Sequence, residues 1–157
     1  MSPRAAWRLE SLGFQDVYDY AAGKADWFAR GRPIEGERAN VPRVGALARP
    51  DVPTCGLDEP VSVVAERVRG AGWDTCIAVN DERVVLGRLF ASELSRDGSQ
   101  AVEEVMRSGP STFRPNVVAE EMARFMDERG VSTALVTTSE GRLVGLLRRS
   151  DAKEANQ

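Results

Sequence analysis

Two stretches of the chain decide its fold: residues 72–93 read GWDTCIAVNDERVVLGRLFASE, and residues 130–151 read GVSTALVTTSEGRLVGLLRRSD. A shift of 58 positions superposes them without a gap, so that Gly87 meets Gly145 and Leu89 meets Leu147. Substitutions such as Ile77 to Leu135 and Val85 to Leu143 keep their apolar character. Self-similarity at a fixed period indicates two copies of one folding unit. We therefore expect an internal repeat from about Val52 to Asp151.

Each copy predicts the same elements. In the second copy Val118, Met122, Phe125 and Met126 recur at helical spacing, and Gly130 follows as a stop. Two short apolar runs come next in both copies and are separated by polar turn residues, which predicts a β-hairpin. A leading strand is expected before each helix, at 54–57 and 112–115, and a short helix after each hairpin. The unit is thus β-α-β-β.

Composition limits the function classes. The chain has 157 residues, 42% of them hydrophobic and 29% charged, which fits a globular protein with a real core. No apolar run approaches the roughly 20 residues that span a bilayer, and the N-terminus lacks a signal-peptide pattern, so we expect a cytoplasmic protein without a membrane partner. A net charge of −3 argues against nucleic acid as a partner.

The chain contains no histidine, which excludes the common zinc sites and the Ser-His-Asp and Cys-His catalytic arrangements. We therefore expect no enzyme activity and no metal site. Cys55 and Cys76 are predicted to be buried core thiols, because free cysteine behaves as a small hydrophobe. A redox-sensitive Cys55 beside the first cleft is the alternative, and the rate of alkylation distinguishes the two.

The element order, the duplication and the segment GLLRRSD at 145–151 resemble a tandem CBS domain pair, also called a Bateman module. The resemblance implies an α+β fold in which two β-α-β-β repeats pack about a pseudo-twofold axis. It also implies two clefts between the repeats that take AMP, ADP, ATP or S-adenosylmethionine as a regulatory ligand, with no required cofactor. Such modules commonly form homodimers and act on a protein partner.

The family's ribose signature is glycine, two apolar residues, Ser or Thr, two variable residues and Asp. Asp151 matches it, and a carboxylate suits the two ribose hydroxyls because it accepts charge-assisted hydrogen bonds. Arg148 replaces the hydroxyl residue and can reach a phosphate. Asp151 as a helix-capping acid, and Arg148 on a solvated strand edge, are the structural alternatives. By position, the resemblance implies that the second cleft is lined by Thr112, Phe113, Pro115, Ser132, Thr133, Ala134, Arg148 and Asp151.

The first cleft departs further from the signature, with Phe90 and Glu93 at the two diagnostic positions. Glu93 remains an acceptor, one methylene longer, and Phe90 is equally consistent with a core residue. By position, the first cleft would be lined by Cys55, Asp74, Thr75, Cys76, Phe90 and Glu93. We expect the second cleft to be the better ligand site.

The N-terminal segment has a different pattern, predicted as a helix ending at Gly13, a strand over 16–20 and a second helix to Gly31. It resembles the last helix-strand-helix of a rhodanese domain, without that family's catalytic cysteine loop. Because one strand cannot bury its own apolar face, we expect its large apolar side chains to pack on the repeats or on another subunit: Trp7, Leu12, Phe14, Tyr18, Trp27 and Phe28.

The predicted organisation is an appendage at 1–32, a linker at 33–43, a first repeat at 44–97 and a second at 98–157. The leading function is a non-catalytic sensor of an adenosyl ligand. A ligand-free dimerisation or interaction scaffold with vestigial clefts is the alternative. A sulfurtransferase remnant is the weakest interpretation, because the cysteine loop is missing.

Overall fold

A computed structural model describes residues 3–37, 39–96 and 98–155. Two helices, α1 (Pro3–Ser11) and α2 (Gly23–Ala29), precede the repeats. The first unit then contains α3 (Val44–Leu47), β1 (Thr54–Cys55), α4 (Val61–Gly70), β2 (Cys76–Val79), β3 (Val85–Leu89) and α5 (Ala91–Leu94). The second contains α6 (Val102–Val105), β4 (Arg107–Ser108), β5 (Thr112–Phe113), α7 (Ala119–Glu128), β6 (Thr133–Thr137), β7 (Leu143–Arg148) and α8 (Arg149–Glu154).

The predicted α+β fold of two repeats is confirmed, and the 58-residue register holds in three dimensions. The helices α4 and α7 start 58 positions apart, and each is followed by a glycine of positive φ, Gly72 at 69° and Gly130 at 64°. That left-handed conformation ends a helix readily only at glycine. Both hairpins also shift register at matching places, Ala78/Val79 and Val136/Thr137.

The strands form two sheets, of order β1-β2-β3-β4 and β5-β6-β7. In each sheet the leading strand runs parallel to the first hairpin strand, and the hairpin itself is antiparallel. The sheets meet through a shared apolar layer that includes Ile77, Leu135 and Leu146, none of which is exposed by more than 1%. This packing of two hydrophobic faces unites the repeats in one core.

The segments that precede the two repeats are exchanged between them. Val44 and Ala48, before the first repeat, lie in the core of the second with Met122 and Met126. Val102, before the second repeat, lies in the core of the first. Each repeat is therefore completed by residues that come before the other one.

The exchange includes backbone pairing. The amides and carbonyls of Arg49 and Leu146 form two reciprocal hydrogen bonds of 3.0 Å, which adds residue 49 to the edge of the second sheet. Arg107 occupies the corresponding place beside Arg88 in the first sheet. Arg49 and Arg107 are themselves 58 positions apart. The repeat thus extends back to Val44, and the C-terminal end of the predicted linker is docked, since the Pro42 carbonyl accepts a hydrogen bond from the Ala119 amide.

The N-terminal segment differs from expectation in two ways. The prediction of a strand over 16–20 is wrong, because this stretch forms no hydrogen-bonded pair with any strand of the described residues. An unpaired segment is not stable as a β-strand. The expected packing on the repeats also fails for the residues of α1 and the stretch after it: Trp7, Leu12, Phe14 and Tyr18 are all exposed. Only Trp27 and Phe28 are half-buried, and Phe28 stacks on the guanidinium of Arg43 at 4.7 Å.

Candidate functional site

A cleft of about 660 Å³ lies where the end of β7 and the start of α8 face the α4–β2 turn of the first repeat. It is lined by Gly72, Trp73, Asp74, Ser132, Thr133, Arg148, Arg149, Ser150 and Lys153. The cleft therefore lies between the repeats and includes residues 148–150 of the second repeat's signature segment. We refer to it as the second cleft.

Three cations give the second cleft a basic character. Arg148 stacks its guanidinium on the Trp73 ring, 4.4 Å from the ring centroid. Arg149 and Lys153 both contact the carboxylate of Asp127, at 3.5 Å and 2.8 Å. A planar ring beside fixed positive charges provides stacking for an aromatic ligand and attraction for an anionic one.

Not every residue predicted for this cleft lines it. Ser132, Thr133 and Arg148 do, whereas Ala134 is buried in the core of the second repeat and Phe113 packs edge-on against Phe125 with centroids 5.2 Å apart. The position-based assignment is corrected further by two residues near the leading strand. Pro115 is buried under α3, where its carbonyl accepts the Gly45 amide at 3.0 Å, and Thr112 is exposed on the sheet edge.

Neither Asp151 nor Arg49 is among the residues that line the cleft, but Asp151 follows the lining residue Ser150, and its carboxylate is already in an ion pair with Arg49. Its Oδ2 accepts a hydrogen bond from Nε of Arg49 at 2.9 Å, and its Oδ1 accepts one from the Ser150 hydroxyl at 3.0 Å. Burial alone would raise the pKa of Asp151, but the hydrogen bonds from Arg49 and Ser150 outweigh it and lower that pKa. Asp151 is thus ionised and ready to accept hydrogen bonds at neutral pH.

The corresponding carboxylate of the first repeat is more fully enclosed. The Glu93 side chain is only 4% exposed, and it accepts hydrogen bonds from the Phe90 amide, the Ser92 hydroxyl and Nε and Nη2 of Arg107, at 2.9 to 3.1 Å. Burial would raise the pKa of Glu93, but these bonds together lower it. Three of these bonds converge on Oε1 and only the Phe90 amide reaches Oε2, so the Glu93 carboxylate is held and largely covered by its own neighbours.

Other residues predicted for the first cleft also differ in placement. Cys55, Thr75 and Cys76 are buried, which confirms the core-thiol prediction and removes these side chains from any ligand surface. The hydrogen bond between the Cys76 and Cys55 thiols, together with burial, raises the pKa of Cys76. Phe90 is enclosed between the guanidinium groups of Arg88 and Arg107, 4.3 Å and 4.8 Å from its centroid.

Asp74 is the exception, because it lines the second cleft instead of the first. Arg88 lies between the repeats, where its Nη2 donates to the Thr133 hydroxyl and its Nε to the Thr75 hydroxyl, both at 2.9 Å. Thr75 and Thr133 are related by the 58-residue shift, so Arg88 bridges equivalent positions of the two copies. Arg88 therefore fills part of the space between the repeats.

Sequence reasoning missed Arg49 and Arg107, the two arginines that contact the signature carboxylates. Both pairs follow the repeat, since Asp151 and Glu93 also differ by 58 positions. The signal was present as an identity between Arg49 and Arg107 just before the compared window. Extending the self-comparison to Val44 would have found it.

The N-terminal segment has its own cavity, of about 740 Å³, with an aromatic and aliphatic wall that includes Tyr18, Trp27, Phe28 and Ile34. It contains neither signature segment. Among the described residues, no cluster of three or more acidic or cysteine side chains is arranged to hold a metal ion, and no helix is long and apolar enough to cross a membrane. The second cleft is therefore the candidate site.

Comparison with known proteins supports this architecture. Residues 102–156 match the family described as the CBS domain. The solved structures named below cover 71–73% of the chain, more than one repeat contains, and the fold of the chain is that of a CBS domain pair. A search of curated proteins finds no match to the chain.

Three of these structures illustrate the likeness. The cytosolic domain of the Mg²⁺ channel MgtE, solved with ATP, has a TM-score of 0.65 and 24% identity over 71% of this chain, which spans only 48% of that structure. CBSX2 from Arabidopsis thaliana, solved with AMP, has a TM-score of 0.64 and 19% sequence identity. The match covers 73% of this chain and 95% of that one. The CBS pair of protein MJ0100, solved with 5′-methylthioadenosine and S-adenosyl-L-methionine, has a TM-score of 0.62 and 14% sequence identity. The match covers 73% of this chain and 94% of that one. At such low sequence identities the likeness to these structures establishes only the fold. The resemblance of the N-terminal segment to a rhodanese domain is supported neither by these structures nor by the family match.

Proposed function

We propose that this chain is a non-catalytic regulatory module that binds an adenine nucleotide or related adenosyl ligand in the second cleft. The observation that supports it most is the meeting of Trp73, Arg148 and Lys153 at a cleft beside the ionised carboxylate of Asp151. An aromatic face, positive charges and a carboxylate match a base, a phosphate and a ribose respectively. Three structures of the same fold were solved with adenosyl ligands.

Binding would act by shifting the balance between arrangements of the two repeats. The second cleft is formed by both copies, so a ligand there contacts the α4–β2 turn of one and the β7–α8 junction of the other. A partner that contacts either copy can therefore sense occupancy. The two free buried thiols fit a reducing compartment, and we propose a cytoplasmic location.

Calorimetry and thermal melting with AMP, ATP and S-adenosylmethionine test the proposal. A ligand at about 100 times its Kd stabilises the fold by about 2.7 kcal/mol, which corresponds to a Tm increase of roughly 5–10 °C for a chain of this size. Arg148→Ala should weaken binding, because it removes a charge that lines the cleft. Arg124→Ala is the matched control, since Arg124 is exposed on α7 and pairs with Glu120. The absence of heat and of any Tm shift with all three ligands at millimolar concentration would refute the proposal.

The alternative is a ligand-free scaffold, and one observation favours it: both signature carboxylates are already paired with arginine. The exposed apolar residues Trp7, Leu12 and Phe14 also suit a contact with a second copy or another protein. Light scattering on the wild type and on a Trp7→Ser, Phe14→Ser double variant tests this contact. A dimer that the double variant converts to monomer, together with no ligand response, would support the scaffold.

A further inference from the structure

The Arg49 guanidinium stands beside the candidate ribose carboxylate with most of its donors unused. Only its Nε bonds to Asp151, at 2.9 Å, and the structure gives its two Nη groups no hydrogen-bond partner among the described residues. The side chain is 44% exposed, whereas its backbone is fixed by two hydrogen bonds to Leu146. Arg49 is thus an anchored cation with four free N–H donors.

The Asp151 carboxylate also has unused capacity. It accepts two hydrogen bonds out of about four possible, one on each oxygen, and its side chain is 17% exposed. A ribose diol supplies two donors, so it can bind to Asp151 without displacing Arg49. Only a few covalent bonds separate the 5′-phosphate of a nucleotide from its ribose hydroxyls. A phosphate on a ribose bound to Asp151 is therefore within reach of the neighbouring Arg49 guanidinium.

We propose that Arg49 is a specificity-determining residue that receives the ligand's phosphate while it remains bonded to Asp151, so that the second cleft selects phosphorylated nucleotides over nucleosides and over S-adenosylmethionine. This inference rests on the proposed function. A phosphate takes charge-assisted hydrogen bonds from both Nη groups, and the planar fork suits two parallel bonds. A neutral nucleoside leaves these donors to water, and S-adenosylmethionine carries a net positive charge that Arg148 and Lys153 repel, whereas both residues attract a phosphate.

The first cleft offers a natural comparison. Arg107, the counterpart of Arg49, already directs both Nε and Nη2 to Glu93, at 3.1 Å and 3.0 Å. Three hydrogen bonds converge on Oε1 of Glu93, whose side chain is only 4% exposed, and the guanidinium groups of Arg88 and Arg107 both lie against the Phe90 ring. The carboxylate of this ion pair is thus covered by its neighbours in the first repeat and accessible to a ligand in the second. We therefore expect one nucleotide to bind per chain.

The test is calorimetry with two ligands that differ only by the phosphate, AMP and adenosine. We expect the wild type to bind AMP at least roughly tenfold more tightly, which corresponds to about 1.4 kcal/mol. Arg49→Gln should lower the affinity for AMP by about the same factor and change the affinity for adenosine by less than about threefold. Arg49→Lys should recover part of the AMP affinity, because it restores the charge without the fork.

The matched control is Arg107→Gln, which should leave both affinities unchanged, with folding of every variant verified by thermal melting. Equal weakening of AMP and adenosine in Arg49→Gln would mean that Arg49 only orients Asp151 and would overturn the inference. So would a wild type that does not distinguish AMP from adenosine. If the wild type binds neither AMP, ATP, adenosine nor S-adenosylmethionine, the proposed function itself fails. If it binds them but Arg49→Gln changes nothing, only the inference fails.

Discussion

Gly145 and Gly87, equivalent residues of β7 and β3, should respond very differently to alanine. A Cβ at Gly145 would lie 2.5 Å from the carbonyl oxygen of Arg49 and 2.8 Å from its carbonyl carbon. Those are backbone atoms that the two hydrogen bonds to Leu146 hold in place. A Cβ at Gly87 would lie 2.3 Å from Sδ and 3.0 Å from Cγ of Met106, a flexible side chain, and 3.2 Å from the Arg107 carbonyl oxygen, which would have to shift by only a few tenths of an ångström. The first clash can be relieved only by moving the exchanged segment, the second by a rotamer change.

The magnitudes follow from this difference. Overpacking costs about 1–3 kcal/mol, and Gly145→Ala should reach the upper end because no side chain can yield. Replacing a glycine inside a strand by alanine also stabilises the fold by about 0.5–1 kcal/mol, because glycine loses more conformational entropy on folding. We expect a net loss of about 2 kcal/mol for Gly145→Ala and a loss of less than about 1 kcal/mol for Gly87→Ala. For a chain of this size that means Tm decreases of roughly 4–8 °C and at most about 4 °C respectively.

Thermal melting and urea denaturation of both variants measure these losses without any ligand. Unchanged denaturant slopes would establish that the variants lose stability and do not change their extent of unfolding. Equal losses in the two variants, or a larger loss in Gly87→Ala, would refute the claim that the Arg49 backbone is rigidly held against β7.

Three further predictions concern buried groups. Thr75→Val should cost about 2 kcal/mol in denaturant melts, because the Arg88 Nε and a backbone carbonyl both lose the Thr75 hydroxyl; a neutral result would mean that water replaces it. The pKa of Glu93 is lowered in the folded state, so its contribution to stability is complete above the ordinary value of 4.5 and is lost as pH falls through the lower, folded value. Glu93→Gln should therefore flatten the decrease of Tm between neutral and acid pH, and a curve parallel to the wild type would contradict the assigned hydrogen bonds. Cys55 and Cys76 should resist alkylation in the native protein and react only in denaturant, whereas rapid native labelling would revive the redox interpretation of Cys55.

The repeat units were predictable because each rests on local signals. Helical spacing before Gly72 and Gly130, and two apolar runs after each glycine, follow directly from which faces must be buried. The stretch over 16–20 misled the prediction because its alternation resembles a strand, yet a strand needs a partner edge. No local pattern reports whether such a partner exists.

The site was less predictable, because its residues are brought together by the exchange of segments. Asp151 was identifiable from the signature, but its partner Arg49 is 102 positions away. Transferring lining residues by position placed Pro115 and Ala134 in the cleft, although both face the core. Burial depends on what packs opposite a side chain, and here α3 lies opposite Pro115.

The exchange of the segments before each repeat bears on how the chain is made. During synthesis the ribosome releases Val44 and Arg49 long before Met122 and Leu146, their packing and pairing partners, have been polymerised. The first repeat must likewise wait for Val102 to cover its core. The core of the first repeat is thus complete in sequence before β5 is made, but its Ile77 face stays uncovered until Leu135 and Leu146 emerge. Val44 and Ala48 likewise stay without their packing partners until α7 has been made. On stalled ribosomes we expect a partly formed first repeat, and final packing of the pair only after translation of β7.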